Sequence, residues 1–234
     1  MEFRDRTVLV TGAAGNLGRA VAGAFAARGA TLVLLDQRRD VLATAFGAED
    51  DRRLFAPADL LDPASARAAV DAAVRRFGRV DALANLAGGF RMGEAVHETS
   101  DDTWRFLFDV NVRTLLNAVQ AVVPHMIAGG GGKVVNVGAF SAQRGLAGMG
   151  AYCAAKSAVI RLTEAMAAEL REKGINVNCV LPTTLDTPEN RAAMPDADPA
   201  RWVALDDLAQ AIVFLASPAA HAVHGAALPV TGLG

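Results

Sequence analysis

Short apolar runs alternate along this chain with longer, alanine-rich segments of helical period. Such alternation is typical of repeated βαβ units, in which helices join parallel strands. We expect strands near residues 7–10, 31–35, 54–56, 82–86, 133–137, 175–180 and 227–230. Because these runs are apolar almost throughout, helices should cover both faces of the sheet. The pattern therefore predicts a doubly wound α/β fold with a parallel β-sheet.

Turn and cap residues lie where this pattern needs them. Gly29, Gly78 and Gly174 each follow an amphipathic segment and precede a strand, as left-handed C-terminal caps do. Asp62-Pro63 and Thr187-Pro188 have the form of a helix N-cap followed by proline at the first helical position. No long linker or internal repeat divides the chain, so we expect residues 1–234 to form a single domain.

Composition narrows the class of partner. The chain is 52% hydrophobic and 21% charged with a net charge of -2, which is ordinary for a globular protein. No block of like charge offers a face to nucleic acid or anionic lipid. The charged first residues do not fit a signal peptide, and no apolar run approaches the ~20 residues of a membrane span. We expect a cytoplasmic protein that acts on a small molecule.

Cysteine and histidine do not indicate a metal site. Cys153 and Cys179 have no paired metal-ligand spacing, and the four histidines form no H-E-x-x-H cluster. We expect both cysteines to be small core residues, and no bound metal.

A glycine-rich loop follows the first predicted strand. Residues 11–18 read T-G-A-A-G-N-L-G and lead into a predicted helix. Glycine here permits a tight turn and lets backbone N–H groups approach a pyrophosphate, which the helix N-terminus also attracts. We therefore expect Gly12, Gly15, Asn16, Leu17 and Gly18 to hold a dinucleotide.

The end of the second predicted strand indicates which dinucleotide is bound. Asp36 stands where a carboxylate would accept hydrogen bonds from the adenosine ribose and repel a 2′-phosphate. NAD(H) is favoured for this reason. Arg38 and Arg39 are close enough in sequence to reach a phosphate, which keeps NADP(H) as the alternative.

Several ordered motifs resemble those of the short-chain dehydrogenase/reductase family. Asn85-Leu86-Ala87-Gly88 is similar to its Asn-Asn-Ala-Gly segment with one asparagine replaced, and Tyr152-x-x-x-Lys156 matches its signature. The glycine loop matches a family variant, since the commonest form has glycine in place of Asn16. The resemblance implies a Rossmann-type fold, a nicotinamide cofactor and a catalytic role for Tyr152, Lys156 and Asn111. It also implies that the cofactor contacts Asp59, Leu60, Asn85, Ala87, Gly88, Tyr152, Lys156, Pro182 and Thr187.

The tyrosine and lysine should act together. They are four residues apart and so share one face of a helix. A free tyrosine titrates near pH ~10, and we expect the ammonium of Lys156 to lower the pKa of Tyr152 so that it serves as general acid. Asn111 is expected to help hold a water that replaces the donated proton.

One family residue is missing. Most members carry a serine thirteen residues before the tyrosine, where this chain has Ala139. Loss of a donor to a developing oxyanion can cost ~3 kcal/mol, which favours acceptors that need less activation. Ser141 is the nearest hydroxyl in sequence and could replace it.

The segment 181–202, with Leu181-Pro182-Thr183-Thr184 at its start and Trp202 at its end, is similar to the serine-less dihydropteridine reductase branch. That resemblance implies NADH and a quinonoid dihydropteridine or a similar conjugated ring. The alternatives are a carbonyl or alcohol oxidoreductase, and a dinucleotide-binding sensor or scaffold without catalysis. We expect residues 184–206 to cover the substrate, and long helices near 101–127 and 152–173 to form a homodimer or homotetramer.

Overall fold

A computed structural model describes residues 2–233 of the chain. Its core is one seven-stranded sheet with the order β3-β2-β1-β4-β5-β6-β7, and every neighbouring pair is parallel. The strands are β1 Thr7–Thr11, β2 Thr31–Leu35, β3 Arg53–Phe55, β4 Ala82–Asn85, β5 Gly132–Val137, β6 Ile175–Pro182 and β7 Ala227–Val230. The predicted single-domain Rossmann-type architecture is confirmed, and β6 extends two residues beyond its predicted end at Val180.

Within residues 2–233, eight α-helices connect or flank the strands. They are α1 Asn16–Ala27, α2 Arg39–Phe46, α3 Pro63–Phe77, α4 Asp101–Phe108, α5 Thr114–Ala128, α6 Gly150–Leu170, α7 Pro188–Ala193 and α8 Leu205–Ala216. A π-helical turn, Asp109–Arg113, joins α4 to α5, so the long helix predicted near residues 101–127 is continuous and contains one π-helical turn. The stretch Asp101–Ala128 is long and apolar enough in composition to cross a membrane, but half of its apolar window is buried within the protein, as in a core helix.

Each face of the sheet is covered by its own group of helices. Leu9 of β1 packs in a cluster with residues of α3, α5 and α6, whereas its neighbours Val8 and Val10 pack with residues of α1, α2 and α8. Alternate residues of a strand point to opposite faces, and apolar residues are therefore needed at consecutive positions. This explains why the predicted strands are continuous apolar runs.

The predicted helix ends are also confirmed. Gly29, Gly78 and Gly174 have φ values of 86°, 77° and 72°, in the left-handed region that favours glycine. Asp62 accepts a hydrogen bond from the Ala64 N–H, and Thr187 caps α7 in the same way. Local sequence thus determines where these helices begin and end.

Candidate active site

The strand order reverses between β1 and β4, which are neighbours in the sheet although two strands lie between them in sequence. In open α/β sheets, ligands bind outside the carboxyl ends of the strands at such a switch point. A cleft of about 540 Å³ lies there, and we call it the glycine-loop cleft. Its lining includes ten of the predicted cofactor residues: Gly12, Gly15, Asn16, Leu17, Gly18, Asp36, Asp59, Leu60, Ala87 and Gly88.

The glycine loop is packed too closely to accept larger residues. A Cβ at Gly18 would lie 2.2 Å from the Gly12 carbonyl oxygen and 2.5 Å from that of Ala13. Gly12 has a φ of 61°, and a Cβ there would lie 3.2 Å from the backbone of Ala87. The loop therefore brings the backbone of Gly12 and Ala13 into close contact with the backbone of Gly18 at the start of α1. This is the geometry that a pyrophosphate requires, so the residues present fit a dinucleotide.

Asn85 supports this loop from beneath the cleft. It is buried, and its Oδ1 accepts a hydrogen bond of 3.1 Å from the Thr11 hydroxyl. The Thr11 Oγ1 in turn accepts from the N–H groups of Leu86 and Ala87 at 2.9 and 3.0 Å. Asn85 thus fixes the β4 loop relative to the glycine loop.

Asp36 directly follows β2 and lines the same cleft. Its two carboxylate oxygens accept from the Ala14 N–H at 3.0 Å and the Gln37 N–H at 2.8 Å. Arg38 pairs with Asp40 at 2.8 Å, and Arg39 pairs with Glu49. Neither arginine is among the described residues that line the cleft. The carboxylate is therefore the charged group presented at this end of the cleft.

Sequence reasoning missed a residue that shapes the far end of the cleft. The Asn117 side chain, buried on α5, donates to the carbonyl oxygens of Leu60 at 2.8 Å and Leu61 at 3.3 Å. The Asp59 carboxylate accepts from the Leu61 N–H at 2.9 Å. Both contacts hold the loop after β3 in place. No local pattern marks Asn117, because its partners lie 56 and 57 residues away.

A second cleft of about 180 Å³ adjoins Tyr152 at the start of α6, and we call it the tyrosine cleft. The Phe90 ring packs edge-on against the Tyr152 ring, with centroids 4.8 Å apart. One turn further along α6, Lys156 is only 6% exposed and its Nζ donates to the Val137 carbonyl at 2.8 Å.

Burial dominates the protonation of both groups. It raises the pKa of Tyr152 to about 12, with a smaller contribution from Cys153. It lowers the pKa of Lys156 to about 8, opposed by Cys179. The predicted lowering of the tyrosine pKa by lysine is therefore wrong in this structure, because desolvation penalises the phenolate. At neutral pH the tyrosine holds its proton and can donate it.

Asn111 lies in the π-helical turn, beside Lys156 and the β4 loop. Its Nδ2 donates to the carbonyls of Gly89 and Leu107, both at 2.9 Å, and its Oδ1 accepts from the Gly89 N–H. A Cβ at Gly88 would lie 2.9 Å from the Asn111 Oδ1 and 3.3 Å from the Lys156 Nζ. Glycine at 88 therefore lets the loop, the asparagine and the lysine meet.

Ala139 is 4% exposed and follows β5, where the resemblance would place a serine hydroxyl. The strand approaches β6 closely at the preceding residue, since a Cβ at Gly138 would lie 2.7 Å from Leu181 and 3.0 Å from the Cys179 sulfur. Ser141 is not among the described residues that line the two clefts. A methyl group thus stands where the resemblance would place the hydroxyl.

The segment after β6 folds back on itself. Its two ends are joined where the Val203 N–H donates to the Thr184 carbonyl, and the Asp186 N–H to the Val203 carbonyl, both at 2.9 Å. Pro182 ends β6, while Thr187 accepts from the Asn190 N–H at the start of α7. A hydrogen bond connects this segment to the glycine loop: the Asn16 Nδ2 donates to the Glu189 carboxylate at 2.7 Å.

Comparison with known proteins identifies several relatives of this arrangement. Residues 6–198 match the family model described as short chain dehydrogenase. D-threitol dehydrogenase of Mycolicibacterium smegmatis is 34% identical over 99% of this chain and 94% of its own length. Cis-4-hydroxycyclohexanecarboxylate dehydrogenase of Sinomonas cyclohexanicum is 35% identical over 98% and 96%. Carveol dehydrogenase of Mycobacterium avium, solved with NAD, has 29% identity and a TM-score of 0.91 over 99% of this chain and 98% of that one.

Proposed function

The chain belongs to the short-chain dehydrogenase family and is a nicotinamide-dependent oxidoreductase, and on this premise we propose that it uses NADH to reduce a conjugated, electrophilic ring such as a quinonoid dihydropteridine. The observation that carries the proposal is the buried methyl group of Ala139. An unactivated ketone would lack a donor to its oxygen, whereas a conjugated ring spreads the added charge itself. The likeness of residues 181–202 to the dihydropteridine reductase branch supports the same choice.

The preference for NADH rests on the charges at the ribose end of the glycine-loop cleft. Asp36 lines the cleft with both oxygens oriented by backbone N–H groups. Arg38 and Arg39, the residues that could attract a 2′-phosphate, pair with other carboxylates. A carboxylate in this position accepts from ribose hydroxyls and repels a phosphate.

In the proposed mechanism, the bound nicotinamide would supply hydride to the acceptor. The residues of the two clefts would hold the dinucleotide along the glycine loop, with Lys156 and Thr187 at its nicotinamide half. The Tyr152 hydroxyl, which is protonated at neutral pH, would give its proton to the acceptor nitrogen or oxygen. Residues 184–206 would cover the substrate and exclude water.

The test is an acceptor panel with NADH and NADPH: a quinonoid dihydropterin, a quinone, a cyclic imine and cyclohexanone. We expect NADH to be consumed with the conjugated acceptors and at least about a hundredfold more slowly with the plain ketone. The variant A139S should narrow that gap. A142S is the matched control, since Ala142 is a buried alanine in the same turn. Wild-type protein that reduces cyclohexanone as fast as the dihydropterin would contradict the proposal.

A second candidate is favoured by the relatives' names. Two of its relatives are named for dehydrogenation of D-threitol and of cis-4-hydroxycyclohexanecarboxylate. This candidate is an NAD-dependent alcohol dehydrogenase, and both compounds should be tested as substrates with NAD⁺. Turnover of an alcohol in wild type and in S141A would assign proton transfer to Tyr152 without a serine.

A further inference from the structure

The tyrosine cleft contains a cationic side chain that the rest of the protein leaves unpaired. Arg91 lines the cleft together with Tyr152, and among the described residues it makes no ion pair or side-chain hydrogen bond. A second charged residue, Glu94, lines the same cleft. Its two carboxylate oxygens face the Ser100 N–H and the Thr103 hydroxyl at the start of α4, each at 3.4 Å. The Glu94 carboxylate is directed to the start of α4, and the Arg91 guanidinium is available.

The Arg91 guanidinium is held by stacking. It lies over the Phe106 ring, 3.8 Å from the ring centroid, which is well within the distance of a cation–π contact. Phe106 in turn packs against the backbone of Gly89, where a Cβ would lie 3.1 Å from its ring. A stacked guanidinium keeps its in-plane N–H groups uncovered, and this planar set of donors suits a carboxylate.

The loop that carries Arg91 is joined to the turn before α6. The Gly93 N–H donates to the Gly148 carbonyl at 2.7 Å. Val96 packs against the backbone at Gly150, where a Cβ would lie 2.5 Å from its side chain. These two contacts set the position of Arg91 relative to Tyr152, the second residue after Gly150.

We propose that Arg91 is a specificity-determining residue that binds a carboxylate on the substrate while Tyr152 protonates the reacting atom. The inference rests on the proposed function for the chemistry of the acceptor, and it adds that the acceptor is a small anionic ring. The cleft volume of about 180 Å³ is below the usual ~300–1,000 Å³ of ligand sites, which favours one or two rings. Met92, Leu107 and Met149, which line the cleft, offer apolar walls for such a ring.

A binding experiment tests the inference without turnover. Benzoate is titrated calorimetrically into the protein with saturating NAD⁺, for wild type, R91Q, R91K and R75Q. Arg75 is an exposed arginine on α3, so R75Q makes the same charge change away from the cleft. We expect R91Q to weaken benzoate binding about ten- to a hundredfold, as for loss of a hydrogen bond to a charged group, and R91K to be intermediate. R75Q should bind like wild type.

A kinetic experiment separates this inference from the proposed function. Wild type and R91Q are compared with 1,4-naphthoquinone-2-carboxylate and its methyl ester as acceptors. We expect R91Q to lose kcat/KM about tenfold or more for the carboxylate and to keep it for the ester. Equal losses for both acceptors, or benzoate binding that is absent in wild type or unchanged in R91Q, would overturn the role of Arg91. No reduction of either quinone, with benzoate binding still dependent on Arg91, would reject only the proposed function.

Discussion

Charged side chains at the amino edge of the sheet have several hydrogen-bonding or ion-pair partners. At the carboxyl edge, charged side chains have few such partners, whether they are buried or exposed. Asp81, before β4, is 8% exposed, and its carboxylate accepts from Arg6, Arg79 and the Thr7 N–H at 2.8 to 2.9 Å. At the other edge, the Lys156 ammonium is equally buried and has one carbonyl partner at 2.8 Å.

A second pair of residues shows the same contrast. Lys133, at the amino edge, donates to the Asn176 Oδ1 at 2.6 Å, and the Asn176 Nδ2 donates to carbonyls of the loop before β7. Arg91, at the carboxyl edge, stacks on an aromatic ring and is paired with no carboxylate of the described residues. Asp81 and Lys133 at the amino edge thus join segments of the chain, while Lys156 and Arg91 at the carboxyl edge have fewer protein partners. Stability and function are thus assigned to opposite ends of the same strands.

The largest effect should come from removing the proton donor. In Y152F, we expect kcat for NADH-dependent reduction to fall about 10²- to 10⁴-fold, because general acid catalysis is lost. NADH binding, followed by fluorescence titration, should stay within a few-fold of wild type. A variant that keeps a tenth of the wild-type rate would remove Tyr152 from this role, and an inactive wild type that binds NADH would favour a sensor or scaffold.

The wild-type protein supplies a direct control, because Tyr152 is its only tyrosine. Tyrosinate absorbance near 295 nm therefore reports one group. Burial raises the pKa of Tyr152 to about 12, so the folded protein should show no tyrosinate signal at pH 10. A signal that rises by pH 10 without unfolding would instead support the predicted lowering by Lys156.

Removing the Asp81 ion pairs at the amino edge should lower the free energy of unfolding and leave kcat unchanged. D81N removes the charge that two arginines contact, and we expect a loss of about 2–3 kcal/mol in unfolding free energy, since each arginine is half exposed. Urea denaturation measures this. D102N is the control, because Asp102 is 88% exposed and pairs only with Arg105, so it should change stability by less than about 0.5 kcal/mol. A changed kcat in D81N would show that the two edges are coupled.

At the carboxyl edge, removing the buried charge of Lys156 should stabilise the fold. Burial lowers the Lys156 pKa from 10.5 to about 8, so the folded state disfavours the ammonium. K156M removes that cost at neutral pH, and we expect a gain of about 1–3 kcal/mol after the lost hydrogen bond to Val137, with activity abolished.

The sign of the pH dependence is specific. Between pH 8 and 10.5 the unfolded chain binds more protons at Lys156 than the folded chain, so the contribution of Lys156 to stability rises with pH across this window. The advantage of K156M is therefore full below about pH 8 and shrinks towards pH 10.5. Urea denaturation of wild type and K156M at pH 7 and pH 10 measures their unfolding free energies. If the two proteins differ in stability by the same amount at both pH values, the explanation by a buried ammonium is contradicted.

The smallest effect concerns the hydrogen bond between Asn16 of the glycine loop and Glu189 of α7. E189Q keeps a hydrogen-bonding partner for Asn16 but removes a negative charge beside the glycine loop. Because a dinucleotide diphosphate is anionic, we expect NADH to bind about two- to fivefold more tightly at low salt, and less so at high salt. D196N is the control, as Asp196 is an exposed carboxylate in the same segment. Equal effects of the two variants would assign the change to net charge alone.

The sequence predicted features that depend on neighbouring residues. The strands, the caps at Gly29 and Asp62, and the glycine loop follow from residue type and spacing, and the structure has them at the predicted positions. The resemblance added the positions of Asn85, Lys156 and Thr187, which no local rule relates to one another.

Features that depend on distant contacts were not predicted. The π-helical turn contains no glycine or proline, and Asn111 within it bonds to Gly89, 22 residues earlier. The stacking of Arg91 on Phe106 likewise requires the folded loop. The direction of the Tyr152 pKa shift depends on whether burial or a nearby charge is larger, and this balance is set only when α6 packs.

The π-helical turn has a consequence for the tolerance of insertions and deletions. Beyond this turn, each residue of the α-helix rotates the following chain by about 100°, so deleting one residue within Thr114–Leu116 would turn the rest of α5 by that angle. Asn117 would then point away from Leu60 and Leu61, and the loop at the far end of the glycine-loop cleft would lose its anchor. This helix can therefore vary in residue type along its exposed face while its length between Asn111 and Asn117 stays fixed.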